Sequence, residues 1–301
     1  MRELSRESEG HCFMRAFWKS NRMRRVGFSR RAGIAHGILV CALVLASTVS
    51  AAKWETSVTS GSPPTFPAPR PMRAKYGFGW SGFPGAAADI RLSKPSADRI
   101  QFDGTVHTTG LVRTLWKFDA NYASIVDAGT LHPLDVRQTE NLRSKKTVTI
   151  LAFGPDGVNS KETETPSKNP GPKVRHFDSP QLFDLLSALL YLRSQPLQDR
   201  SVQRVVVYPQ TSAYLATLTA QGRERLTVPA GTYNAIKLDL QLSKIGKNRE
   251  LEPHRKFRRA IVWMSDDPDR LLLKVEAQVF VGAVFVELQS VDFDTAVPHL
   301  D

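Results

Sequence analysis

A mainly β architecture is what this sequence predicts: a curved antiparallel sheet or partly open barrel of about ten to twelve strands wrapping one apolar helix over 179–195. Three observations support it. Apolar and polar residues alternate through most of the chain after residue 75, short turn signals separate the alternating runs, and one segment switches to helical spacing.

Ahead of the strands lies a leader. Arg24, Arg25, Arg30 and Arg31 precede an uncharged apolar run from Gly37 to Ala46, and Val49-Ser50-Ala51 supplies small residues after it. That is the layout of a secretory signal, expected to be cleaved after Ala51 or Ala52 and to export the protein from the cytoplasm. The alternative, an uncleaved anchor, wants about 20 apolar residues, which this run reaches only by counting Ser and Thr. Met23 would start a signal of ordinary length. "SRRAGI" resembles a twin-arginine signal but lacks the large apolar residue usual after the pair, and Val40 is too large for the residue preceding a lipoprotein cysteine at Cys41. The expected organisation is a signal over 1–51, a Pro-rich linker over 52–75, one β domain over 76–293 and a tail over 294–301.

Both cysteines, Cys12 and Cys41, fall in the leader, so the body has no disulfide, thiol nucleophile or thiolate ligand. The net charge of +12 also divides: nine Lys/Arg and three Glu lie in residues 1–51, leaving 32 basic and 26 acidic residues beyond them. The body is mildly basic, short of the dense basic stripe of a nucleic-acid binder.

The strands read in order. Tyr76, Phe78 and Trp80 share one face, as do Val148, Ile150 and Ala152, then Ile236, Leu238, Leu240 and Leu242. Leu273, Val275, Ala277 and Val279 follow, and Val284, Val286 and Leu288 complete the series. Period two marks strands with one buried face, and turns as short as "GPDG" or "PAG" can join only antiparallel neighbours. In "DSPQLFDLLSALLYLRSQP" the period changes. Ser179 is the expected N-cap, Pro180 the first helical residue, and Pro196 the stop. Leu182, Leu185, Leu186, Leu189 and Leu190 would form one apolar face, with Gln181, Asp184, Ser187 and Tyr191 as the polar stripe. "GLVRTLWKF" suggests a second, shorter helix.

The densest acidic stretch, "SDDPDR", is a candidate catalytic pair or calcium loop. Asp266, Asp267 and Asp269 lack the alternate spacing and the glycine of a calcium loop, and adjacent strand residues point apart. Turn chemistry explains each residue, so a hairpin between strands ending at Ser265 and starting near Leu271 is expected. The body's histidines are scattered, and no nucleophile elbow, P-loop or dinucleotide fingerprint occurs; no catalytic residue, metal site or cofactor is expected. Trp80, Asp184, Tyr191, Arg193 and Trp263 are the candidate ligand-binding residues, with core packing the plainer role for the aromatics. In "SKIGKNRELEPHRKFRR", Lys244, Lys247, Arg249, Arg255, Lys256, Arg258 and Arg259 form either a solvated loop or a contact with an anionic surface.

The ordered motifs "YGFGWSGFPG" (Tyr76 to Gly85), "FDLLSALLYLR" (Phe183 to Arg193), "VPAGTYNAIKL" (Val228 to Leu238) and "VWMSDDPDRLLLKVEAQVFVGAVFVEL" (Val262 to Leu288) resemble the domain of unknown function 3108 family of bacterial envelope proteins. The resemblance implies a periplasmic, mostly antiparallel β protein, with a curved sheet wrapping a helix as in lipoprotein-carrier folds, and brings no catalytic residues. The basic run over Lys244 to Arg259 is longer than the family pattern. Three functions follow as expectations. The first is a non-catalytic envelope protein holding a lipid, lipoprotein or envelope polymer, with an amphiphile in a concave apolar groove. The second is an envelope glycan or peptide hydrolase using Asp184, Asp266 or Asp267. The third is a scaffold docking another envelope protein along a strand edge.

Overall fold

Sixteen strands, two α-helices and a single 3-10 turn (Trp54–Ser57) make up the computed structural model, which describes residues 54–59, 67–167, 171–254, 257–279 and 282–294. In chain order the first half is β1 (Met72–Trp80), β2 (Phe83–Ser96), β3 (Arg99–Thr108), α1 (Gly110–Leu115), β4 (Phe118–Asp127), β5 (Pro133–Leu142), β6 (Lys145–Gly154), β7 (Gly157–Thr165) and β8 (Lys173–Asp178). The second half is β9 (Leu182–Phe183), α2 (Leu185–Ser194), β10 (Val202–Val207), β11 (Tyr214–Val228), β12 (Gly231–Ile245), β13 (Leu251–Pro253), β14 (Phe257–Ser265), β15 (Leu272–Val279) and β16 (Ala283–Phe293).

All sixteen strands belong to one sheet, ordered β8-β7-β6-β5-β4-β3-β2-β1-β16-β15-β14-β12-β11-β10-β9, with β13 attached to β12. It is two meanders joined at a seam: β1 to β8 in sequence order on one side, β16 back to β9 on the other. At the seam β1 pairs antiparallel with β16, from Met72 opposite Phe293 to Trp80 opposite Val284. Every pairing is antiparallel except β9 on β10.

The sheet curls until its two ends overlap. Val136 of β5, Leu151 of β6 and Val158 of β7 share one cluster with Leu182 of β9, Val206 of β10 and Leu215 of β11. The Ser160 hydroxyl donates to the Gln210 carbonyl (2.8 Å), and the Phe177 and Tyr208 rings lie 6.0 Å apart. β10 is therefore covered on both faces. Val205 and Val207 turn to the cluster that contains α2, and Val206 turns to β5–β7. Its remaining edge is covered too: Thr59 donates its N–H to the Arg204 carbonyl (2.8 Å) and accepts the Arg204 N–H on its hydroxyl (2.9 Å).

The count of sixteen corrects the expected ten to twelve, and the strands that raise it lack alternation. "VVVY" is continuous because β10 is buried on both sides. β9 and β13 span only two and three residues, and β8 is a polar edge, "KVRHFD". The sheet opens at Met72, ahead of Tyr76. Trp54, placed in the expected linker, is buried against the β5–β12 cluster, and its indole N–H donates to the Arg249 carbonyl (2.6 Å).

α2 lies inside the curl. Leu190, with Leu186 beside it, packs on Leu92, Ile100, Phe102 and Val126 of β2–β4. Ala188, Tyr191 and Leu192 pack on Val205, Ala216, Ile236, Val262 and Met264 of β10–β14. The helix is shorter than the predicted 179–195, because Leu182–Phe183 pair with β10 and Asp184, not Ser179, caps it. The five leucines do not form one buried face. Leu182 belongs to β9, Leu185 is 55% exposed, and the expected polar stripe of Asp184, Ser187 and Tyr191 is buried instead. A helix enclosed on two sides has no solvent side on which to keep a polar stripe, so those groups must find partners within the sheet. The second short helix is α1, as the sequence suggests.

Leu190→Ala should cost about 3 kcal/mol of stability, a buried leucine in a filled interior. Leu185→Ala on the same helix should change it by no more than about 0.5 kcal/mol. Urea unfolding followed by circular dichroism measures both.

Candidate functional site

The acidic stretch resolves into the predicted hairpin, since β14 ends at Ser265, β15 starts at Leu272, and the two pair antiparallel. Asp267 builds the turn: its Oδ1 accepts from the Ser265 hydroxyl (2.9 Å) and from the backbone N–H of Asp269 (2.9 Å) and Arg270 (3.1 Å). Asp266 accepts from Arg223 Nε (3.0 Å), and Asp269 receives both arms of the Arg70 guanidinium (2.8 and 2.5 Å). Each carboxylate is held by a different partner.

Asp184 is fully buried at the other end of α2. Its Oδ1 accepts from the N–H of Leu186 (2.8 Å) and Ser187 (3.3 Å), while its own N–H donates to Ser187 Oγ (3.0 Å), a reciprocal cap. The Tyr122 hydroxyl (2.6 Å) and the Ser124 hydroxyl (3.0 Å), both on β4, donate to the same carboxylate. At the C-terminal end, the Arg193 guanidinium donates to the carbonyls of Pro67 (2.8 Å), Pro268 (2.8 Å) and Asp269 (2.9 Å). Burial lowers its pKa, opposed by Asp269. Nine residues of helix, roughly 14 Å, separate Asp184 from Arg193 and the acidic turn beside it. Asp184 therefore does not converge with Asp266 or Asp267, and those two are bound to different partners, Arg223 and the turn backbone.

The remaining candidates disperse as well. Tyr191 is a core residue stacked on Phe183 (4.9 Å between centroids), and burial raises its pKa. Trp263 lies on the opposite side of β14 from Val262 and Met264, which face α2. Its indole N–H donates to Glu224 (2.6 Å), and the ammonium groups of Lys237 and Lys274 stand 5.6 and 5.8 Å from its ring. This donor pulls the Glu224 pKa below the ordinary carboxylate value. Trp80 ends β1 at the rim where the β1–β2 turn emerges.

The basic run also divides. Arg249 pairs with Glu55 (3.0 Å), donates to the Asp178 carbonyl (2.8 Å) and covers the rings of Trp54 and Phe177 (5.1 and 5.3 Å), clamping the N-terminal turn and β8 together. Arg259 is bonded to Asp239. Lys244 sits within β12, and Lys247 is exposed in the loop after it. Arg255 and Lys256, and the side chain of Arg258, lie outside the described residues.

Sequence reasoning missed two features. One is the pair Tyr122 and Ser124, whose meeting with Asp184 depends on a register that alternation does not specify. The other is an open groove of about 830 Å³ across β16 and β1–β5 on the polar side of the sheet, walled by Arg73, Lys75, Arg91 and Arg137 with Asp89, Asp103 and Asp292 among them. Among the described residues, no three His, Cys, Asp or Glu side chains cluster closely enough to hold a metal ion, and no helix is long and apolar enough to cross a membrane.

A single sheet rolled around a helix makes this a β-barrel-like protein, and the first structural comparison agrees. A β-barrel-like protein of domain of unknown function DUF1849 from Brucella abortus superposes with a TM-score of 0.52 at 9% identity, over 75% of this chain and 98% of that one. The chain itself belongs to the family described as protein of unknown function, DUF3108, whose model matches residues 73–289. Two further solved structures match less well. A candidate lipoprotein from Parabacteroides distasonis gives a TM-score of 0.33 at 10% identity, covering 77% of this chain and 100% of its own. A candidate exported protein with a YmcC-like fold from Bacteroides fragilis gives 0.30 at 9%, covering 75% and 98%. No curated protein matches.

Asp184→Ala removes a cap, takes the acceptor from the buried Ser124 hydroxyl and one partner from the half-buried Tyr122, and should cost about 3 kcal/mol in urea unfolding. His132, half-buried with its ring 4.8 Å from Phe183, has its pKa pushed below the ordinary 6.5 by burial, against the pull of Asp127. The unfolded chain therefore takes up this proton first. Stability from the neutral ring is present in full above pH 6.5 and is lost as the pH falls below it. Thermal melts of His132→Phe should show less acid destabilisation than wild type between about pH 7.5 and 5.5.

Proposed function

We propose that this protein is a non-catalytic component of the bacterial envelope that binds rather than transforms its ligand. The observation that carries this reading is the commitment of Asp184, Asp266, Asp267 and Asp269 to caps, turns and guanidinium pairs. General acid–base work needs carboxyl groups converging on a reacting bond, and these are each held by a different partner. The N-terminal leader supports an exported location.

The ligand proposed is an amphiphile whose acyl chain takes the place of α2. Polar bonds at Asp184 and Arg193 pin the helix at its two ends, and between them it meets the sheet through aliphatic and aromatic side chains. Those walls would be as well satisfied by a hydrocarbon chain as by leucines. In the resting fold the helix fills the interior, so binding is an exchange. A second reading, docking of another protein by strand addition, is favoured by β8, which among the described residues pairs only with β7 and leaves Val174 69% exposed.

Mass spectrometry of organic extracts from the purified, signal-free protein tests the first reading, together with titration by a fluorescent fatty acid. Asp184→Ala, by weakening the pin, should raise fatty-acid affinity by about tenfold, the equivalent of 1.4 kcal/mol. A lipid-free extract together with no uptake by either folded protein would overturn it.

A further inference from the structure

The three most exposed large apolar side chains of the described residues are Leu111 (85%), Leu115 (76%) and Phe83 (73%), and all three belong to the rim where the end of β3 stands beside the start of β2, Thr108 opposite Ala86. Leu111 and Leu115 are one turn apart on α1, in the β3–β4 connection, and Phe83 opens β2. The Thr109 N–H, at the start of α1, donates to the Gly85 carbonyl (2.9 Å), which fixes the helix beside the start of β2. α1 is held rigidly. Arg113 reaches both oxygens of Asp119 (2.8 and 3.3 Å) and the Thr108 carbonyl (3.3 Å). From the β5–β6 turn, the Arg143 N–H donates to the Lys117 carbonyl (3.0 Å) and its guanidinium to the Leu115 carbonyl (3.3 Å). The fold thus spends several hydrogen bonds on presenting two leucines to solvent, where an ordinary amphipathic turn would bury them.

Charge completes the pattern. Lys117, Arg143 and Lys146 are all exposed around this knob, while two acids, on β4 and β7, are paired: Asp119 with Arg113, and Glu164 with Lys145 (2.6 Å). The Trp116 ring lies 5.3 Å beneath the Arg143 guanidinium, and its indole N–H is buried with no acceptor. Apolar side chains that project from a basic collar match an anionic bilayer surface, which takes the leucines below its headgroups and pairs its phosphates with the cations. A protein partner would need a shaped recess for three unconnected side chains; a lipid surface needs none.

We propose that this rim, Phe83 with Leu111 and Leu115 inside the Lys117–Arg143–Lys146 collar, docks the protein reversibly on an anionic membrane surface. The proposal rests on the envelope location argued above but is independent of amphiphile exchange, since the knob lies outside the α2 interior. Sedimentation with vesicles of phosphatidylglycerol and phosphatidylethanolamine tests it on the signal-free chain. The wild type should bind these at least about tenfold more tightly than pure phosphatidylcholine vesicles, with affinity falling as salt rises. Leu111→Ser with Leu115→Ser should reduce binding by about tenfold or more, as should Lys117→Glu with Arg143→Glu. Ile150→Ser, which removes an exposed apolar side chain from the face of β6, should leave binding unchanged. Thermal melts establish that each variant is folded. Equal sedimentation with and without anionic vesicles, or folded rim variants that bind like wild type, overturns membrane docking while leaving the fatty-acid titration to decide the interior reading separately.

Discussion

A helix enclosed by a sheet has to satisfy its own first turn without water, and in this protein one carboxylate does so. Asp184 accepts from two backbone N–H groups of α2 and from two hydroxyls of β4, so it closes the helix and ties it to the first meander at once. The interior depends on that joint. Leu186 and Leu190 reach the β2–β4 wall, and Ala188, Tyr191 and Leu192 reach the β10–β14 wall, only while α2 holds its position between them. Arg193 supplies the second fixed point by gathering three carbonyls near the acidic turn. Two polar anchors thus set the helix along its axis, a registration that aliphatic contacts, being non-directional, cannot provide.

Charged side chains elsewhere repeat this division between joints and surface. Arg249 joins the N-terminal turn, β8 and the β12–β13 loop through one guanidinium, and Arg70 braces the β14–β15 turn. The edges of the sheet are treated unequally. Residue Thr59 and β9 cover the free side of β10, while among the described residues no strand pairs with the outer edge of β8. An uncovered strand at one end of a large sheet is a pairing hazard unless it is charged, and β8 carries Lys173 and Arg175 against Glu162 of β7.

Alternation made most half-buried strands legible, but in β6 it picked the wrong side: Thr149 and Leu151 are buried, whereas Ile150 and Ala152, expected on the apolar face with Val148, point outward. Ile236 and Leu238, or Val275 and Ala277, lie where their period places them, while a bulge beside Leu273 moves that residue to the Trp263 side, and "SDDPDR" could be read as a turn because Asp267 needs only local partners. What alternation could not show was any strand buried on both faces, such as Val205–Val207, or any strand too short to have a period, such as Leu182–Phe183. The helix was visible as a helix, yet its orientation was not. Leucine spacing assumes one dry side and one wet side, and α2 has two dry sides, so Ser187 and Tyr191 turned inward. For the candidate site, Asp184 was singled out from sequence, but its partners Tyr122 and Ser124 lie some sixty residues away. Only the sheet register brings them within reach.

The seam between the meanders has a further consequence, for the order in which the molecule can assemble. β1 holds β2 along one edge through a two-residue turn, but its other edge waits for β16, with Met72 opposite Phe293. A chain threaded across a membrane from its amino end would offer that half-satisfied strand to solvent until nearly all of the polypeptide had followed. Contacts this remote slow the search for the native state and prolong the exposure of sticky intermediates. The β1–β16 seam is therefore the last pairing this topology can complete, and the first meander keeps an open edge until the final strand arrives.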